Sequence, residues 1–174
     1  MHLNPYGTYA VQLAASLAND WPADRSGIEA RTREFGMTMA FLEDAEDVDA
    51  HSGTREVIDE WLRVVDAATP ELRAEILNRH MSEAAAFPQL VNHDDEGWHL
   101  HYRDDRQSLP GVLRSVIPVG TALHLTTRGI TRLGRCTAEP CTNVIVDVTR
   151  NGRQRFCSVR CANRAAVRRH RARG

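Results

Sequence analysis

The sequence predicts a mainly α-helical fold with a small β element: a helical N-terminal domain followed by a compact module organised by four cysteines. Three observations predict it. Apolar residues recur at helical spacing through much of residues 6–84. One short stretch near residue 100 alternates at strand period instead. All four cysteines, and eleven of the 22 arginines, fall after residue 131.

Taken in order, Tyr6, Ala10, Leu13 and Leu17 form one apolar face, and Asn19-Asp20-Trp21-Pro22 stops that helix. Ile28, Phe35, Met39 and Leu42 make a second stripe. It runs into the acidic residues 43–49, which lack a calcium-loop pattern and read as a solvated face. Residues 54–68 predict an amphipathic helix with Val57, Trp61, Val64, Val65 and Ala68 inward. Thr69 is placed as an N-cap and Pro70 as the first residue of the next helix. Leu72, Ile76, Leu77, His80 and Ala84 give its inner face, with His80 at the edge of the core. Trp98, Leu100 and Tyr102 then alternate with His99, His101 and Arg103, and Gln89 to Asn92 is the expected hairpin partner. Val112, Leu113, Val116 and Ile117 return to helical spacing, which Pro118 is expected to kink or restart. Leu123 to Leu133 is the last apolar stretch, interrupted at Gly129.

Charge divides the chain where the cysteines begin. Residues 132–174 carry eleven arginines against Glu139 and Asp147, a balance of +9, whereas residues 1–131 carry -10, giving -1 overall. A domain boundary is therefore expected at 131/132. A basic end of this strength suits a polyanionic partner, and its charge opposes that of the acidic part, which could hold it. Lysine is absent; arginine serves bidentate contacts to phosphate and guanine. No apolar run reaches the ~20 residues of a membrane span. The first residues lack the basic flank of a secretory signal, so a cytoplasmic, reducing location is expected.

In such a compartment clustered cysteines are metal ligands more often than disulfides. Cys136, Cys141, Cys157 and Cys161 follow the pattern C-x4-C-x15-C-x3-C, two short pairs that converge on one tetrahedral ion. Four thiolates close the coordination sphere, so the predicted cofactor is one structural zinc. Four thiolates and one zinc add -2 and bring the module near +7. Between the pairs, Asn143 to Thr149 reads as a strand, Asn151-Gly152 as a hairpin turn and Arg153 to Phe156 as the returning strand. Ser158 is the N-cap of a final helix. Knuckle, hairpin and helix together predict a treble-clef-like zinc finger. On its helix Arg160, Arg164, Arg168 and Arg171 share a stripe, flanked by Arg169 and Arg173; with Arg153 and Arg155 they are the candidate nucleic-acid contacts.

The run Cys157-Ser-Val-Arg-Cys161-Ala-Asn-Arg164-Ala-Ala-Val-Arg-Arg-His-Arg171, with Asp147-Val-Thr-Arg150-Asn151 before it, resembles the zinc finger of the CGNR family. Cys161-Ala162-Asn163-Arg164 stands at its named tetrad, with Ala162 in place of glycine. The resemblance implies a DNA-binding regulator whose finger follows an N-terminal ABATE-type domain proposed to act in stress-induced transcription. Leu17-Ala-Asn19 and the helical run up to Cys136 are similar to that domain. It also implies a capping or bridging role for Asn163 and a phosphate contact for Arg164. The N-terminal domain is expected to sense a small-molecule ligand, to form a homodimer, or both. RNA is the alternative partner, although Phe156 is the finger's only aromatic residue. A metal-dependent enzyme using His99 and His101, with His93, Asp94, Asp95, Asp104 and Asp105 nearby, is a further alternative. No nucleophile motif or glycine-rich phosphate loop accompanies those residues, so the protein is read as a non-enzyme.

Overall fold

The structure, a computed structural model, describes residues 5–37, 50–84, 87–91, 99–101 and 107–172. The described residues form helices α1 (Pro5–Asn19), α2 (Arg25–Glu34), α3 (Ala50–Val65), α4 (Pro70–Ala84), α5 (Leu109–Arg128) and α6 (Val159–Arg171). Two antiparallel sheets of two strands accompany them: β1 (Gln89–Val91) with β2 (His99–His101), and β3 (Leu133–Arg135) with β4 (Val144–Val146). Met39, Leu42, the acidic run 43–49, Asn92, His93, Asp94, Asp95, Trp98, Tyr102 to Asp105 and Arg173 lie outside the described residues. No helix among the described residues is long and apolar enough to cross a membrane.

Helix α5 is the axis of the helical part and packs against α1, α3 and α4. Leu13, Leu17, Ile58, Trp61, Leu113 and Ile117 are fully buried between these helices. Where α1 crosses α5 the backbones nearly touch. A Cβ placed on Gly120 would lie 2.6 Å from the Cβ of Ala10 and 3.1 Å from the carbonyl oxygen of Gly7. Glycine is needed there for space rather than for backbone freedom.

Pro118 does not interrupt α5, which runs unbroken from Leu109 to Arg128. A proline inside a helix removes one amide donor. One turn away, the Thr121 hydroxyl donates to the Ile117 carbonyl at 2.7 Å and accepts from the buried Trp61 indole at 3.0 Å. These bonds tie α5 to α3 beside the proline. Gly129, at φ 118°, ends the helix, and its N–H bonds to the Leu125 carbonyl.

The α3–α4 corner departs from the simple apolar stripe. Thr69 caps α4 as expected, its hydroxyl accepting from the Leu72 N–H at 3.2 Å. Leu72 itself is 42% exposed, and Ala68 is exposed because α3 ends at Val65. The inward position belongs to Arg73, which is 9% exposed. Its guanidinium donates to the carbonyls of Val64, Val65 and Ile130 at 3.0, 3.0 and 2.6 Å. The helix end leaves carbonyls without intrahelical partners, and a planar fork of donors satisfies several at once. Burial lowers the pKa of Arg73, with Asp66 acting in the opposite direction. His80 is half-buried at the core edge, and burial lowers its pKa.

The β1–β2 hairpin forms with Leu90 opposite Leu100 and His99 and His101 opposite Val91 and Gln89. Leu90 and Leu100 are exposed.

The β3–β4 sheet joins the helical part to the cysteines. Its register sets Leu133 opposite Val146 and Arg135 opposite Val144. Leu133 and Val144 belong to the main core, and Val146 packs against it, whereas Ile145 points the other way into a second cluster with Cys136, Ala138 and Cys161. The two-residue period of a strand thus divides one sheet between two cores. The side chain of Asn19 serves the strand as a surrogate peptide: its amide donates to the Val144 carbonyl at 3.0 Å, and its oxygen accepts from the Val144 N–H at 2.6 Å. Arg135 forks onto Asp66 at 2.8 and 2.7 Å, and these bonds are the main cause of the lowered Asp66 pKa.

The close α1–α5 crossing can be tested with Gly120→Ala. Alanine gains about 1 kcal/mol of helix propensity, but the overlap with Ala10 forces the helices apart at a cost of about 1–3 kcal/mol. Thermal melting should show a lower Tm; a variant as stable as the parent would contradict the crossing.

Candidate zinc centre and basic helix

Four cysteines from three local structures meet at one point. Cys136 follows β3, Cys141 closes the knuckle, Cys157 precedes the last helix and Cys161 lies in its first turn. The knuckle is a tight turn in which the Cys141 N–H bonds to the Ala138 carbonyl at 2.8 Å. Ser158 caps α6, its hydroxyl accepting from the Cys161 N–H at 3.2 Å, which fixes the fourth ligand at the helix entrance. All four Sγ atoms lie within 4.8 Å of one another, and none is in a disulfide. The Cys141–Cys157 and Cys157–Cys161 separations are 3.7 and 3.6 Å. A tetrahedron with zinc–sulfur bonds of about 2.3 Å has edges of about 3.8 Å, so the set fits one structural zinc ion. As thiols, Cys157 is pushed up to about 12, first by burial, while Cys161 is drawn down to about 7, first by the Ser158 hydroxyl. Zinc would bind all four as thiolates and displace their protons.

Besides the Ser158 hydroxyl, two further described donors face the sulfurs. The Cys157 N–H points at Cys136 Sγ at 3.4 Å, and the Arg164 guanidinium reaches Cys161 Sγ and the Ala138 carbonyl, each at 3.3 Å. A cation here compensates the excess negative charge of a four-thiolate zinc site.

Strand β4 forms where a strand is expected, but its partner is Leu133–Arg135 rather than residues 153–156. The returning segment lies beside the knuckle instead: the N–H and hydroxyl of Thr137 both donate to the Arg155 carbonyl, at 2.9 and 3.0 Å. Asp147 sets this course. It is 4% exposed, and its carboxylate accepts from the Thr149 N–H, the Thr149 hydroxyl and the Gln154 N–H at 2.9, 2.5 and 3.1 Å. Burial opposes ionisation, but these bonds and the nearby Arg132 outweigh it and lower the pKa. The turn at Asn151-Gly152 is present, with Gly152 at φ 66°. Arg132 fills the space beside that glycine and donates to the Thr149 carbonyl at 2.8 Å.

The arginines of the finger fall into two groups. Arg132, Arg135, Arg164 and Arg168 are occupied, Arg168 by Glu139 at 2.5 Å. Arg150, Arg153, Arg155, Arg160, Arg169 and Arg171 are exposed, and their side chains have no partner among the described residues. The expected stripe is therefore split: Arg164 and Arg168 turn toward the knuckle, while Arg160 and Arg171 remain free. Arg155, Arg164, Arg168 and Arg169, with Phe156 and Ala165, line a groove of about 380 Å³ between knuckle and helix. Asn163 is exposed and makes no hydrogen bond with a described residue, so the capping role falls to Ser158. The side chains of α6 form an ion pair only with Glu139 among the described residues, so no described acid of the helical part holds this helix.

Asn19, Asp66, Arg73 and Asp147 position the finger, and local sequence pattern signalled none of these roles. Asn19 and Arg135 reach partners 125 and 69 residues away.

The centre predicts one zinc per chain by elemental analysis, lost together with α6 helicity in Cys157→Ser. Asp147→Ala should cost about 0.5–1.5 kcal/mol near neutral pH, the net worth of hydrogen bonds whose donors, on the exposed Thr149 and Gln154, can turn to water. Because the folded pKa is lowered, that contribution is present above the ordinary carboxylate range and disappears as pH falls through the folded value. Denaturation of both proteins across acidic pH should therefore show the difference shrinking; a constant gap would contradict an ionised Asp147.

No curated protein matches the chain. Residues 132–174 match the model of the CGNR zinc finger, and with the thiolate geometry this assigns the C-terminal part as a CGNR zinc finger, a zinc-binding module.

Proposed function

We propose that the protein is a DNA-binding transcription regulator, stress-related as the family resemblance implies, with the finger as its nucleic-acid-binding part. Six exposed arginines without described partners, gathered on one zinc-folded module, carry this reading. Four other arginines already serve Asp66, the finger's own acids, and internal carbonyls and sulfur, so the six are spare for phosphate. Residues 1–131 act as the ABATE-type domain, sensing a ligand or joining two chains. The role is one of binding, without catalysis, and cytoplasmic. RNA is a weaker fit, because Phe156, half-buried against the cysteine cluster, is the finger's only aromatic residue, and single-strand recognition uses several stacking platforms.

Duplex binding by the zinc-loaded protein should weaken steeply with salt. If all six arginines meet phosphates, the slope of log affinity against log salt approaches about -5, roughly a thousand-fold between 50 and 200 mM. Affinity that stays flat over this range, or a clear preference for structured RNA in competition, would overturn the reading.

A further inference from the structure

The proposed DNA reading leaves open which surface meets the bases. The arginine stripe is the obvious candidate, yet the geometry of α6 points elsewhere. Cys161 is buried and Ala165 half-buried against the cysteine cluster, so these residues mark the inner face. At 3.6 residues per turn, Val159 and Asn163 both lie about 160° around the helix from Cys161, and His170 lies about 180° around. Ala166 and Val167 complete this face at about 140° and 120°. Val159 is 77% exposed, Val167 is 51% exposed, and Asn163, Ala166 and His170 are exposed too. Arg160 and Arg171 run along one border of the face and Arg169 along the other, while Arg164 and Arg168 lie close to the cluster.

Two solvent-exposed valines and an asparagine without a partner among the described residues do nothing for this helix. Valine is a weaker helix former than alanine, and neither valine contributes to the small core of the finger. Between flanking arginines, however, they match the chemistry of a duplex major groove. Asparagine pairs bidentately with adenine, and an apolar side chain packs on the thymine methyl. Flanking guanidinium groups reach the phosphates on either side. Val159, Asn163 and Val167 are one turn apart and span about 12 Å, or between three and four base-pair steps.

We infer that α6 enters the major groove of B-form DNA with its Val159–Asn163–Val167 face, reading A·T pairs, while Arg160, Arg169 and Arg171 hold the backbone. This rests on the DNA-binding reading above and names the residues that would give it specificity. Selection from a randomised duplex pool, using the full zinc-loaded chain, tests it. The wild type should enrich a short site containing A·T pairs. Asn163→Ala, with zinc content unchanged, should lose discrimination at one adenine position by between about 5- and 150-fold. Val159→Ala with Val167→Ala should relax the neighbouring thymine positions, whereas Arg160→Gln should weaken all duplexes alike. A selected site that Asn163→Ala and the valine variants leave unchanged overturns the inference. So does salt-sensitive duplex binding with no selected sequence, although the DNA-binding reading then stands. Failure to bind any duplex, or selection of RNA alone, overturns both.

Discussion

The finger's place in the fold depends on the alternation of three residues in β4. Val144 and Val146 face the helices, while Ile145 faces the sulfurs. A strand buried on both faces has no solvent side to slip toward, because a one-residue shift would exchange its two faces. The sheet is only two strands wide, and an isolated two-stranded sheet is marginal in water. Here it is held by a metal-folded knuckle on one side and a helical core on the other. Asn19 completes its hydrogen bonding at Val144, and the Arg135–Asp66 fork fixes its other strand.

The change in charge at residue 132 therefore does not coincide with a gap in packing. Leu133 belongs to the helical core although it lies in the basic part of the sequence. Positive charge within the finger is divided by task. Arg132 and Arg135 complete turns and helix ends, and Arg164 offsets thiolate charge. The outer arginines remain available to solvent. A uniform +9 read from the sequence thus becomes a set of internal contacts and a smaller external field.

Much of this was legible in sequence. The cysteine spacing, the Ser158 cap, the Asn151-Gly152 turn and the Thr69-Pro70 helix start are local signals, and each appears where its chemistry requires. The pairing of β4 was not legible. Hairpin rules favour neighbouring strands, but Asp147 captures the turn and the knuckle takes the returning segment, leaving Leu133–Arg135 as partner. Leu72 reads as an inward residue of α4 until the carbonyls of α3 and Ile130 are seen to converge on Arg73 instead. Pro118 reads as the site of a kink or a restart until Thr121 and Trp61 are seen beside it. In each case the deciding contact comes from a distant part of the chain, or from a side chain acting in place of backbone.

The Asn19–Val144 pair has a kinetic consequence. It closes a loop spanning most of the chain, and such non-local contacts form late because loop-closure entropy opposes them. The α1–α5 crossing, where Ala10 meets Gly120, closes a loop almost as long, so the two contacts share one closure cost. Once α1 has packed on α5, Asn19 stands where β4 can pair with it, whereas zinc capture joins cysteines no more than 25 positions apart and closes only a short loop.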